Sequence, residues 1–82
     1  MLQAIEYNAI VKLFQSQARS TQIWVNEWEK HKDASAVRNA SLAIGKLHGI
    51  YNILLNMNGG EKNIDEELIA LLQKYNNLWS QM

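Results

Sequence analysis

Apolar residues recur at alternating steps of three and four along three stretches of this chain, and that spacing constrains its fold more than any other feature. In the first stretch, about 2–32, the row is Ala4, Tyr7, Val11, Phe14, Ala18, Thr21, Val25 and Trp28. In the second, about 35–57, it is Val37, Ala40, Ile44, Leu47, Tyr51 and Leu54, with Ala36, Ala43, Ile50 and Met57 in a parallel row. The third, about 63–81, carries Ile64, Leu68, Leu71, Tyr75, Leu78 and Met82, with Ile69, Leu72 and Trp79 flanking. Steps of three and four place side chains on one stripe of an α-helix, and the two-residue alternation of a half-buried strand does not match them. No proline interrupts any of the three stretches, and proline is the residue that breaks helix interiors.

The punctuation between the stretches agrees with three helices. Lys30, His31 and Lys32 put positive charge where the first helix ends, which suits the negative end of its dipole. Asp33 or Ser35 can cap the second helix, and Asn58-Gly59-Gly60 ends it, because glycine enters the left-handed region without steric cost. Asn63 with Glu66 resembles a capping box for the third helix, and Asp65, Glu66 and Glu67 place negative charge in its first turn.

Short joints between long helices make antiparallel neighbours. The expectation is therefore an all-α, up-down-up three-helix bundle forming a single domain over residues 1–82. At about 1.5 Å per residue the helices span roughly 45, 35 and 28 Å, so the first should overhang the second or fold back on it. The first and third helices end at the same pole, which should gather Trp24, Trp28 and Trp79 there. An 82-residue chain is near the size at which one core is marginal, so a partner that adds core is a natural complement.

Charge and chemistry narrow the function. Eight basic residues balance eight acidic ones, which argues against a nucleic-acid binder. The longest apolar run, Leu68 to Leu72, is far short of a membrane span, and no secretory leader is visible at the start. The absence of cysteine removes thiolate chemistry and disulfides and fits a cytoplasmic setting. There is no phosphate-binding glycine loop and no nucleophile motif, so neither catalysis nor a cofactor is expected. Glu27 and His31 share a helix face, but two ligands do not make a metal site; a helix-end histidine is the simpler reading. His48 reads as a boundary residue beside the apolar face.

The candidate binding residues are apolar or small. Gly45 and Gly49, with Ser41, Asn52 and Asn56, form a narrow face of small and polar side chains. It could be a shallow groove for a partner helix, or close packing inside the bundle. Ile10, Trp24, Ile69 and Trp79 flank the seams and are the apolar side chains a partner would meet, tryptophan being favoured at interface hot spots.

The stretch from Asn39 to Glu61 resembles the flagellin export chaperones. Leu55-Asn56-Met57-Asn58-Gly59-Gly60-Glu61 matches that family's helix-ending turn, Leu68, Leu71, Leu72 and Tyr75 fall where its next helix carries apolar residues, and Leu13-Phe14 stands near its Leu-Tyr pair. Gln15-Ser16 replaces the family's Asp-Gly, and Asn76-Asn77 stands near its basic pair. The family is longer and has a fourth bundle helix. The resemblance implies a cytoplasmic protein of the flagellar or secretion apparatus that covers apolar helical segments of an exported subunit, with an open side filled by that client or by a second copy. The alternative is a small structural or assembly module that self-associates as a homodimer or larger oligomer and has no client.

Overall fold

A computed structural model describes residues 4–59 and 64–82. It contains three helices, α1 (Ala4–His31), α2 (Ala34–Asn58) and α3 (Glu66–Ser80), and no strand among the described residues. They run up, down and up in a rod of 45 × 19 × 16 Å. The lengths differ from the sequence expectation. Among the described residues α1 and α2, with 28 and 25 residues, nearly match and show little overhang. The short member is α3, whose 15 residues amount to about 22 Å.

The α1–α2 joint is only Lys32 and Asp33. Lys32 takes a left-handed φ of 54° and its N–H reaches the Trp28 carbonyl at 2.8 Å. Its ammonium sits 3.9 Å from the centre of the Trp28 ring. Asp33 is extended and caps α2, its Oδ1 accepting the Ala36 N–H at 2.7 Å. Gly59 closes α2 with φ 72° and donates its N–H to the Leu55 carbonyl, as its place in the sequence predicts. At α3 the expectation needs correction. The helix begins at Glu66, and Asp65 is the cap: its carbonyl accepts the N–H groups of Leu68 at 3.0 Å and Ile69 at 3.3 Å, while its side chain makes no capping bond. Asn63, the expected cap, lies outside the described residues.

The buried side chains come mainly from the seams, but Val37 of the second seam is half-buried while Ala36 and Ala43 of the parallel row are buried. Phe14, Ala18, Val25 and Trp28 of α1 meet Ala36, Ala40, Ile44, Leu47, Tyr51 and Leu54 of α2. The start of the α1 seam is looser: Tyr7 and Val11 are only partly buried. Alanines at the crossing let the two helices approach closely, so polar groups there must find partners. Thr21, fully buried, donates to the Gln17 carbonyl at 2.7 Å and lies 3.3 Å from the Ala43 carbonyl. Gln17 Nε2 donates to the same Ala43 carbonyl at 3.2 Å.

The third helix lies mainly on α2 and touches α1 lightly. Leu68, Leu72 and Tyr75 are its buried residues, joined by Ile64 just before the helix, whereas Leu71 and Leu78 are half-buried. Leu72, expected as a flanker, thus belongs to the core in place of Leu71. The reason is the lean toward α2, which turns the Leu72 side of α3 inward and leaves the Leu71 side over a gap facing α1.

Candidate functional site

On the side of the α1–α2 hairpin away from α3 the helices form a trough. Trp24 of α1 and Leu42 of α2, 39% and 59% exposed, line a cavity of about 210 Å³ together with Ser20, Asn39 and Lys46. Each has a counterpart eleven residues away on its own helix. Eleven residues are close to three helical turns, so Leu13 lies on the face of Trp24, and Ile53 on the face of Leu42. Because Phe14 packs on Tyr51, with ring centres 6.3 Å apart, Leu13 comes level with the Ile53 region of α2. Leu13 and Ile53 are 50% and 45% exposed. Exposed apolar side chains thus stand at two levels along the hairpin, Trp24 and Leu42 lining the cavity with Lys46, and Leu13 and Ile53 on the same helix faces three turns beyond. Gly49, on the outer face between Leu42 and Ile53, has open space where a Cβ would stand: nothing lies within 4 Å.

The sequence-expected residues divide among three surroundings. Trp24 and Gly49 belong to this trough or its outer rim. Ile10 and Ile69 are half-buried against the core. Trp79, 37% exposed, is on the other side of α2: its indole N–H donates to Ser41 Oγ at 2.8 Å and its ring lies 5.2 Å from that of His48. His48 Nε2 is in turn 3.0 Å from Asn76 Oδ1. Ser41 and Leu42 are successive residues about 100° apart around the helix, which is why one meets α3 and the other the trough. The face of small residues is thus not one groove, since Trp79 occupies its Ser41 end. Nor do Gly45 and Gly49 serve close packing, because a Cβ at either would meet nothing within 4 Å. The three tryptophans have separate settings: Trp28 in the core under Lys32, Trp24 in the trough, Trp79 beside the middle of α2.

Leu13, Leu42 and Ile53 were not among the expected binding residues. The available signal was that apolar side chains off the seam repeat at the same eleven-residue interval on both helices.

A second hollow, about 470 Å³, opens where α3 leans away from α1, between Gln15, Ala18, Arg19, Leu71 and Lys74. Its floor is closed by Tyr75, whose hydroxyl donates to Gln22 Oε1 at 2.7 Å and lies 3.4 Å from the Ala18 carbonyl. Lys74 Nζ donates to the same Gln22 oxygen at 3.0 Å. Burial of the Tyr75 phenol raises its pKa above the ordinary value.

Glu27 and His31 form an exposed pair at 3.2 Å within the last turns of α1. No group of three or more potential metal ligands occurs among the described residues, and no described helix is long and apolar enough to cross a membrane. Compared with known proteins, the chain matches no family model, no curated protein and no solved structure.

Proposed function

We propose that this protein is a helical binding module whose α1–α2 trough receives an apolar helical segment of a partner protein. The observation that carries this reading is the alignment of Leu13, Trp24, Leu42 and Ile53, all exposed, along one face of the hairpin. Single exposed apolar residues are ordinary on protein surfaces, but here two of them, Trp24 and Leu42, share one cavity, and Leu13 and Ile53 repeat them three turns further along the same helix faces. A trough between two helices suits the helix-in-groove mode, in which side chains at steps of three, four and seven fill successive levels. Burial of such side chains contributes about 25 cal/mol per Å², and an aromatic such as Trp24 is a favoured anchor.

The finer reading is a chaperone that shields helical segments of an exported subunit, and it rests on the resemblance of the Leu55–Glu61 turn and its flanking helices to the flagellin export chaperones. Such a role needs a stable apolar surface and no cofactor.

Titration of the Trp79→Phe variant with an apolar helical peptide, such as the C-terminal segment of a flagellin, tests the reading through the fluorescence of Trp24 over the constant emission of the core residue Trp28, with light scattering to fix mass. A saturable shift at one-to-one stoichiometry is expected. A dimer in which Trp24 is already shielded, with no response to peptide, would replace this reading with that of a self-associating module.

A further inference from the structure

The balanced net charge conceals a division along the rod. Residues 7–26 of α1, all of α2 and residues 68–80 of α3 contain no aspartate or glutamate, yet they carry Lys12, Arg19, Arg38, Lys46 and Lys74. The described carboxylates sit toward the two ends. Glu27, Glu29 and Asp33 flank the α1–α2 joint; Glu6, Asp65, Glu66 and Glu67 stand at the helix starts of the opposite pole. The Glu27–His31 pair is itself at an end. The waist itself is therefore cationic, and negative charge reaches the trough only at its Trp24 end, where Glu27 and Asp33 share a neighbouring cavity with that indole. Lys46 lines the trough beside Trp24 and Leu42, and no carboxylate pairs with it among the described residues.

Resting on the docking reading above, we infer that the segment received by the trough is an acidic amphipathic helix. Its apolar side meets Leu13, Trp24, Leu42 and Ile53, and carboxylates beside that stripe meet Lys46 and the field of the waist. Electrostatic complementarity of this kind selects partners and speeds encounter more than it adds affinity. The same field disfavours a second copy. A two-fold pairing places the same patch on both sides of an interface, so trough-to-trough contact would lay one cationic waist on another. The shape, a furrow between two antiparallel rods, fits a third rod better than a plane.

The test uses the full chain and two labelled helical peptides with identical apolar positions, one flanked by glutamates and the other by lysines. Binding is read by anisotropy at about 50 and about 300 mM salt, which shortens the screening length about 2.5-fold. The glutamate peptide should bind about tenfold more tightly at the lower salt, and the gap should narrow at the higher. Lys46→Glu should erase most of the gap while leaving the circular dichroism melt in place; Lys46→Gln, with a smaller loss, serves if the reversal impairs folding. Equal binding of both peptides, or preference for the lysine peptide, overturns the inference and leaves the docking reading standing. Failure of both peptides overturns the two together. If neither peptide binds but the protein sediments with vesicles containing about one-third phosphatidylserine, the waist serves an anionic membrane surface and the inference is overturned.

Discussion

The Tyr75 hydroxyl donates to Gln22 Oε1 at 2.7 Å, and this bond fastens α3 to α1 across a hollow that side-chain packing leaves open. Tyr75→Phe should cost about 1 kcal/mol, the usual net value of one such bond, measured by urea unfolding. The sign of its pH dependence follows from burial. The folded phenol holds its proton to higher pH than the unfolded one, so in the alkaline range the folded state binds more protons. The contribution is complete below about pH 10, the ordinary tyrosine value, and is lost as pH rises through the raised folded value. The wild type should therefore lose stability more steeply than Tyr75→Phe above that pH; parallel curves would contradict the assignment.

Lys32 combines a conformational cost with a favourable contact. Its left-handed backbone costs a non-glycine residue roughly 1 kcal/mol, while its ammonium over the Trp28 ring contributes about 0.5–1 kcal/mol. Lys32→Ala keeps the strain and removes the contact, so the denaturation midpoint should fall accordingly. Lys32→Gly removes both and should lie near the wild type. If Ala and Gly variants were equally stable, the backbone term would be absent.

The glycines of α2 should respond in opposite directions. Gly45→Ala and Gly49→Ala place a methyl in open space within a helix, and each should stabilise by about 0.5–1 kcal/mol. Gly59→Ala, at φ 72°, should destabilise by about 1 kcal/mol. Thermal melts of the three variants decide the point; loss of stability at Gly49 would mean that its Cβ meets something.

Stability and binding should separate across α2. Leu42→Asp changes an exposed residue, so it should alter unfolding by no more than about 0.5 kcal/mol yet weaken peptide binding at least about tenfold. Trp79→Phe loses the Ser41 bond and part of the His48 contact. It should cost about 1–2 kcal/mol and leave peptide affinity unchanged. Coupled losses in both variants would show that the trough and the α3 contact are not independent.

The legible part of the sequence was that written in local chemistry. Asp33 caps because its side chain is followed by free helical N–H groups, and Gly59 closes because glycine takes the left-handed turn without the strain that Lys32 bears; both act within a few residues. The seams were legible for the same reason, since Phe14, Ala18 and Val25 share one face whatever they meet. Leu71 and Leu72 exchanged roles because their burial depends on how α3 leans, which is decided by contacts between helices. Leu42 escaped notice on similar grounds. Its neighbour Ser41 is claimed by Trp79, and only the crossing of α1 and α2 at Ala18, Thr21 and Ala43 determines which flank is left uncovered. The glycine face was seen in the sequence, but whether it packed or stood open depended on neighbours 26 to 38 residues away, the separations of the Gln17–Ala43 and Ser41–Trp79 bonds.

The joint of Lys32 and Asp33 has a consequence for the order of assembly. A two-residue connection costs little loop-closure entropy, and contacts zipping outward from it are among the nearest in sequence that two helices can make. Chains rich in such contacts fold fast. The hairpin should form early, with α3 joining afterwards through fewer contacts. The trough is built from α1 and α2 alone, so during synthesis it is complete once Asn58 has left the ribosome, before α3 has docked behind it.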